Sequence, residues 1–300
     1  MKRKSICVAA ALAAGSLWGT IGFFSRIMQG YHFDVYAVNT LCYSQAAVMF
    51  IVTALIKNPR QIKVRKKDLW IFVCAAVSTT LISSVFYYET VQIMSLSLAT
   101  LLQGTAPFFV MAVSALVFKE RLTIQKFLAL ILCITGCGLV AGILDESLHV
   151  TSKGILFGII SAIGYGLYSI FNKLALERRY PNLIVSLYVV SCSALIMASV
   201  AIPMHSFDRA DLTWKTWLMT LIFSFTTTYL PSYLYLYSLD GIDAGEASIL
   251  VTMEPIVATL ISIFVYHEML SLYMGTGVVM IILSLVLVQM QPKRDGIQIR

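Results

Sequence analysis

Long apolar runs alternate with short polar stretches along the whole chain. A helix of about 20 residues spans the roughly 30 Å hydrocarbon core of a bilayer. Because that core offers no water, a spanning segment must satisfy its own backbone hydrogen bonds, which favours a helix. The pattern therefore predicts an all-α integral membrane protein with ten transmembrane helices. The expected spans are residues 5–28, 34–56, 69–90, 95–118, 124–143, 153–173, 182–203, 214–238, 244–266 and 271–290.

Two of these apolar segments match each other without a gap at an offset of 148 residues. The first copy runs from Ala99 to Thr123 and the second from Ala247 to Ser271. A weaker match, at an offset of 147, places Trp18-Gly19 on Tyr165-Gly166. We therefore expect two repeats of five helices, residues 1–146 and 147–300. The aligned pairs include Pro107 with Pro255, Glu120 with Glu268 and Leu122 with Leu270.

The odd number of helices in each half makes the two repeats inverted. The second half enters the membrane from the side opposite to the first, so Glu120 and Glu268 end their helices at opposite faces. We expect both carboxylates to cap helices or pair with loops. Inverted repeats enclose a solute site near the midplane and exchange conformations, which gives alternating access.

Composition and charge set the orientation. The chain is 59% hydrophobic and 12% charged. If the N-terminus lies inside, 18 Lys and Arg fall in inside segments and 4 in outside segments. Because cytoplasmic loops concentrate positive charge, we expect both termini in the cytoplasm and the protein in a bacterial plasma membrane. The net charge of +7 then reflects topology, with membrane lipid and no nucleic acid as a partner.

The duplicated segments also resemble a known family. The stretch YYETVQIMSLSLATLLQGTAPFFVMAVSALVFKERLT (87–123) is similar to the signature of EamA-type transporters of the drug/metabolite transporter superfamily. The second copy, LYSLDGIDAGEASILVTMEPIVATLISIFVYHEMLS (236–271), resembles the same signature. The resemblance implies a ten-helix inverted-repeat exporter or importer of small metabolites. It also implies a central cavity lined by the third, fourth, eighth and ninth helices.

The chain departs from this family in its second helix. Members often carry an Arg there, whereas the comparable stretch VYAVNTLCYSQAA has Asn39, Tyr43 and Gln45. A role of that Arg therefore does not carry over.

Pro107 and Pro255 lie mid-span at matching positions. A proline inside a helix removes a backbone donor and frees the carbonyl one turn earlier, here near Gln103 and Val251. Such interruptions at matching positions of two halves point to a binding site. A simple packing kink is the alternative, and we expect either a hinge or a kink at each proline.

Glu254 is the carboxyl expected closest to the midplane. An isolated charge there costs at least roughly 2.5–3.5 kcal/mol, so it must be protonated, paired or facing water. We expect it to bind an amino group, another cation or a coupling proton; a carboxyl that only packs helices is the alternative. Glu246, at the start of the same span, is expected to be solvated.

Aromatic rings with a polar tip can hold a flat or amphipathic solute while keeping one hydrogen bond. Neighbouring polar side chains could add further contacts. The expected substrate-binding residues are Trp18, Asn39, Tyr87, Gln103, Thr105, Tyr165, Tyr168, Tyr235, Thr252 and Glu254.

These features favour a secondary transporter of a small organic metabolite, such as an amino acid or an amphipathic compound. The chain has no GxxxxGK[ST] phosphate loop, so a proton or solute gradient, or simple facilitation, would drive it. A membrane-embedded enzyme acting on lipid or isoprenoid substrates is the main alternative, and a scaffold or sensor a further one. We expect no catalytic residues, no cofactor and no metal. The sequence leaves the substrate, the direction of transport and the oligomeric state open.

Overall fold

The computed structural model describes residues 2–57, 62–94, 96–144, 151–208, 210–267 and 271–290. Within these ranges every regular element is helical, and the helices group into ten consecutive rods. Three rods have a short break, and their two parts are labelled a and b. The rods are α1a (Lys2–Trp18), α1b (Ile21–Gln29), α2 (Val35–Lys57), α3 (Lys66–Ile93), α4a (Leu96–Gln103), α4b (Ala106–Val117), α5 (Ile124–Val140), α6 (Ser152–Glu177), α7 (Asn182–Ala201), α8 (214–239), α9a (Ala244–Leu250), α9b (Met253–Tyr266) and α10 (Leu272–Gln289).

Most rods are long and apolar enough to cross a bilayer. Among the described residues eight helices qualify by length and hydropathy, and α5 is a shorter apolar helix of 17 residues. Rod α8 is not among the eight. Large apolar side chains such as Leu116 and Phe264 are exposed on the outside of the bundle, where lipid would solvate them. The prediction of an all-α membrane protein is confirmed, whereas the count of ten spans stays a prediction.

Two rods contain a wider π-helical turn at matching positions. The turns are Ser78–Val85 in α3 and Phe225–Tyr229 in α8. π-Helical turns are rare and concentrate at functional sites. The two segments overlap when the halves are aligned at the offset of 148, so both halves carry this feature.

Ion pairs show which rod ends share a face of the bundle. Arg3 Nη2 lies 2.5 Å from Asp240 Oδ2, and Lys4 Nζ lies 3.1 Å from Glu246 Oε1. The start of α1, the end of α8 and the start of α9 therefore lie together, at what we call the terminal face. At the opposite face, His32 Nδ1 lies 3.0 Å from Asp211 Oδ2, which joins the end of α1 to the start of α8.

The matching rods α4 and α9 run in opposite directions. Glu120 follows the end of α4, and its carboxylate accepts a hydrogen bond from the amide of Ala244 at the start of α9. The end of one rod and the start of its sequence partner thus lie at the same face, as expected for inverted repeats. Glu268, the repeat partner of Glu120, lies outside the described residues. The boundary between the predicted repeats, at 146/147, also falls outside them and stays a prediction.

Two glycine contacts repeat the same crossing in both halves. A Cβ built on Gly19 of the first rod would lie 2.7 Å from Val257 Cβ in α9, and one on Gly166 of α6 would lie 3.3 Å from Phe109 Cβ in α4. Val257 and Phe109 hold equivalent positions in the aligned repeats. The weak match of Trp18-Gly19 with Tyr165-Gly166 therefore marks two equivalent crossings over the broken rods.

Candidate functional site

A central cavity of about 560 Å³ lies where the breaks in α4 and α9 meet the two π-helical turns. All ten rods contribute to its wall, and α3, α4, α8 and α9 supply most of it. The family resemblance therefore pointed to the main walls but not to the contributions of the other six rods. Hydroxyl, amide and aromatic groups alternate with small apolar residues around the cavity.

Most of the side chains expected to bind substrate line this cavity. The expected residues in its wall are Trp18, Asn39, Gln103, Tyr165, Tyr168, Thr252 and Glu254, together with Pro107 and Pro255. Three expected residues are not in the wall, and the hydroxyl of each has a hydrogen-bond partner within the protein. The Tyr87 hydroxyl lies 3.2 Å from Thr100 Oγ1, and Thr105 donates to a carbonyl of its own helix at 2.6 Å.

Tyr235 is the third of these residues, and it supports the wall from behind. Its side chain is fully buried, and its hydroxyl lies 2.6 Å from Ser169 Oγ. Its ring packs 5.5 Å from the ring of Trp18 and 6.2 Å from the ring of Tyr168. Tyr235 therefore holds two cavity aromatics in place.

The prolines lie at breaks between half-helices and not at kinks within continuous helices. Each is in the first turn of the second half, Pro107 in α4b and Pro255 in α9b. Proline fits this position because the first turn has no intrahelical acceptor for its amide. Of the two carbonyls expected to be freed, that of Val251 accepts a hydrogen bond from the Glu254 amide at 3.1 Å. The break at α9 is therefore partly closed by its own backbone.

Trp18 makes an unexpected hydrogen bond to a backbone carbonyl that a third proline leaves without a donor. Pro231 in α8 has no amide hydrogen to donate to the carbonyl of Thr227, four residues earlier. The indole Nε1 of Trp18 donates to that carbonyl instead, at 3.0 Å. The polar tip of this side chain is thus committed to α8, and its ring is left to face the cavity.

The π-helical turns contribute hydroxyls that sequence reasoning missed. Thr79, Ser83 and Ser84 of α3, with Thr227 and Thr228 of α8, line the cavity. The stretches STTLISS and TTT, unusually polar for apolar spans, were the available signal. Neither stretch specifies a π turn, so its place in the wall required the structure.

Glu254 lies in the wall, half-buried, at the first turn of α9b. Its side chain forms no ion pair within the part of the chain that the structure describes. The backbone of the first rod packs against it, since a Cβ on Gly19 would lie 2.6 Å from the Glu254 carbonyl oxygen. The expectation that this carboxyl faces the cavity matches its position; its role in binding is a proposal.

A network of charged groups closes the bundle at the terminal face. The Glu120 carboxylate accepts hydrogen bonds from the amides of Ala244, at 2.8 Å, and Gly245, at 3.4 Å, and so caps α9a. Lys126 Nζ lies 2.7 Å from Asp243 Oδ2. Lys173 donates to the carbonyls of Leu239 and Ile242. We call this network, Glu120, Lys126, Lys173 and Asp243 with the 239–245 backbone, the clasp.

Glu246 was expected to be solvated, and the structure shows otherwise. Its side chain is 3% exposed and pairs with Lys4. The first rod covers this end of α9a, which removes the carboxyl from solvent and makes an ion-pair partner necessary.

Comparisons with known proteins agree with this architecture. The chain is 24% identical over 301 residues to the uncharacterized transporter YxxF of Bacillus subtilis, covering 98% of this chain and 93% of that protein. It is 27% identical over 198 residues to an uncharacterized transporter of Archaeoglobus fulgidus, covering 65% and 68% of the two chains. A solved crystal structure superposes with a TM-score of 0.80 at 15% identity, covering 97% of this chain and 99% of that one, which shows the shared fold.

A family model covers both halves of the molecule. The EamA-like transporter family matches residues 5–142 and again residues 152–290. These two matches contain the breaks of all three broken rods, both π-helical turns and every described residue of the cavity wall. The chain therefore belongs to the EamA-like transporter family.

Proposed function

We propose that this protein is a secondary transporter that moves a small organic metabolite across the membrane by alternating access. The observation that carries the proposal is the cavity of about 560 Å³ that both halves form at their breaks. Small-molecule sites typically enclose about 300–1,000 Å³. A wall rich in hydroxyl, amide and aromatic groups suits an organic solute with both polar and apolar parts.

The distribution of the wall residues supports access from one side. Ile21, Ala258 and Met274 line the cavity from the halves of their rods that lie far from the terminal face. The terminal face is held by the clasp. We propose that this conformation opens away from the termini and that the clasp is the opposite gate, closed. If the two repeats exchanged conformations, the clasp would open and the cavity would close at the face opposite to the termini.

The orientation in the membrane is part of the same proposal. The terminal face carries most of the Lys and Arg residues. We therefore place that face and both termini in the cytoplasm. The cavity then faces outward, and the clasp is the cytoplasmic gate.

Counterflow in proteoliposomes tests the proposal. The purified protein is reconstituted, loaded with members of a metabolite panel and supplied with labelled solute, with and without a pH gradient. We expect at least one solute to exchange, and the gradient arm measures proton coupling. Failure of every panel member to exchange would contradict the proposal.

A matched pair of variants ties exchange to the cavity. Ala258→Trp places a large ring in the wall, whereas Leu260→Trp, two residues along α9b, replaces a side chain that is 46% exposed on the outside. We expect Ala258→Trp to abolish exchange and Leu260→Trp to retain it. Equal exchange by both variants would place the transport path elsewhere.

A further inference from the structure

Within the described part of the chain, the cavity wall contains a single carboxyl group and no basic side chain. Among the residues that line it, Glu254 is the sole acid, and none is Lys, Arg or His. The other polar groups of the wall are hydroxyls, amides, thiols and the Trp18 indole. Any formal charge that the protein brings to the solute is therefore negative.

No ion pair within the described residues satisfies this carboxyl, as shown above. An ionised carboxylate in a poorly hydrated site is costly unless a cation or several donors offset it. Two buried or partly buried cations of the terminal face already have acidic partners, Lys4 with Glu246 and Lys126 with Asp243. A positively charged solute would supply the counter-ion that the wall lacks.

The hydroxyls beside Glu254 present acceptors to the cavity. Three of them on α9 donate their hydrogens to carbonyls of the same rod, at 2.6 to 2.9 Å, and so keep only lone pairs for a solute. They are Ser248, Thr252 and Thr259, donating to Gly245, Ile249 and Pro255. The Asn39 amide nitrogen donates one of its two hydrogens to the Val35 carbonyl, and its oxygen adds a further acceptor. This part of the wall matches a solute that donates hydrogen bonds, as an ammonium group does.

Aromatic rings complete the surroundings of the carboxyl. Trp18, Tyr165 and Tyr168 line the same cavity. Because the Trp18 N–H is held by the Thr227 carbonyl, this side chain offers its ring to a solute. Cations bind the faces of such rings, Trp most strongly, and flat apolar groups pack on them.

We propose that the solute is an organic monocation, a protonated amine attached to an apolar or aromatic portion, with the Glu254 carboxylate as its counter-ion. This assignment rests on the proposed transport function and names its substrate class. We expect amines to bind more tightly than zwitterionic amino acids. The described wall has no cationic side chain that could pair with the carboxylate of an amino acid.

Three probes that share a phenyl ring and differ in charge test the assignment. They are phenethylamine, a cation; phenylalanine, a zwitterion; and 3-phenylpropionate, an anion. Each competes with a labelled panel solute in counterflow, and each is also tested for thermal stabilisation of the detergent-purified protein. We expect phenethylamine to compete and stabilise at concentrations about 10- to 100-fold lower than the other two, the range of one charge-assisted contact.

Variants at one position separate charge from shape. Glu254→Gln should weaken the binding of phenethylamine by about 10- to 100-fold. Glu254→Asp keeps the charge and should still bind phenethylamine in preference to the other two probes. Glu89→Gln, at an exposed position near the end of α3 away from the cavity wall, is the matched control and should behave as wild type. Loss of the preference in Glu254→Asp, or its survival in Glu254→Gln, would overturn the assignment.

The outcomes also distinguish this inference from the function on which it rests. If panel solutes exchange but phenethylamine neither competes nor stabilises, the transporter stands and the cation assignment fails. If no solute exchanges in the wild-type protein, the transport proposal itself fails. If Glu254→Gln does not fold, the probe ranking on wild type and on Glu254→Asp still decides the assignment.

Discussion

At the scale of single residues, the indole of Trp18 replaces the backbone donor that Pro231 lacks. Trp18→Phe keeps a ring but leaves the Thr227 carbonyl without this donor. We expect the variant to lose about 1–3 kcal/mol of stability, measured by thermal unfolding in detergent. Adding Pro231→Ala supplies a backbone N–H and should restore part of the loss.

Trp70→Phe is the matched control for this experiment. That ring is 46% exposed at the start of α3, and its replacement should leave the midpoint of unfolding nearly unchanged. If Trp18→Phe unfolds like the control, or if Pro231→Ala fails to rescue it, the indole does not serve this carbonyl.

Two glycines of the first rod offer a sharper contrast. A Cβ on Gly19 would lie 2.6 Å from the Glu254 carbonyl oxygen, whereas a Cβ on Gly22 would meet nothing within 4 Å. Gly19→Ala should therefore destabilise the protein by about 1–3 kcal/mol through overpacking. Gly22→Ala should stabilise it slightly, by about 0.5–1 kcal/mol, because alanine loses less backbone entropy in a helix.

Thermal unfolding of both variants measures the difference. Equal midpoints would show that the crossing of the first rod over α9 is looser than the structure indicates. Counterflow provides a second measurement, because the same crossing holds the backbone of Glu254 in place.

Single residues were partly predictable from sequence. The repeat and the apolar pattern placed Glu254 close to the midplane and Trp18 and Tyr165 in spans expected to border a cavity, and all three line the cavity. Tyr235 belonged to the same pattern but faces Ser169. A helix rises about 1.5 Å per residue, so depth in the membrane can be read from sequence position. The direction of a ring depends on neighbours that the sequence does not identify.

At the scale of elements, the Glu120 cap on α9a has a measurable effect. Glu120→Gln removes the negative charge from a helix N-terminus and weakens two hydrogen bonds. We expect faster hydrogen exchange at the amides of Ala244 and Gly245, by about 5- to 30-fold, since such contacts contribute about 1–2 kcal/mol. Exchange is followed by mass spectrometry of the protein in nanodiscs.

Glu89→Gln again serves as the control, because this carboxyl is exposed near the end of α3. An unchanged exchange rate in Glu120→Gln would mean that the clasp does not hold the start of α9. A faster rate together with altered counterflow would connect the cap to the gate.

Sequence reasoning identified the helices better than their irregularities. Pro107 and Pro255 indicated the interruptions in α4 and α9. Proline is compatible both with a kink and with the first turn of a new helix, so the sequence did not decide between them. The π-helical turns carry no comparable residue signal. In each turn a side chain of a crossing rod donates to a backbone carbonyl, as Ser161 does to that of Ser83. Such long-range partners are invisible in a local pattern.

At the scale of the whole molecule, the orientation can be mapped with single cysteines in a background without the native ones. Asp240→Cys reports on the terminal face and Asp211→Cys on the opposite face. In intact cells we expect an impermeant maleimide to label position 211 but not position 240. Labelling of both positions after permeabilisation is the control, and the reverse pattern would place the termini outside.

The inverted-repeat architecture could be predicted from the sequence because the duplication and the charge bias extend over the whole chain. An odd number of helices in each half required inversion, and the contact of Glu120 with Ala244 agrees with it. The cavity could be predicted only in part from the sequence. All ten rods contribute to its wall, whereas the repeat points to few of them.

The two hydrogen bonds to the π-helical turns constrain how this molecule can rearrange. Trp18 fastens α1 to α8, and Ser161 fastens α6 to α3. Sliding either pair apart would leave a buried carbonyl without its donor, at a cost of about 1–3 kcal/mol. In the alternating-access cycle that we propose, each pair would therefore move as one body, and each unites a rod from the N-terminal half with one from the C-terminal half. The bodies that move in that proposed cycle would then differ from the two sequence repeats.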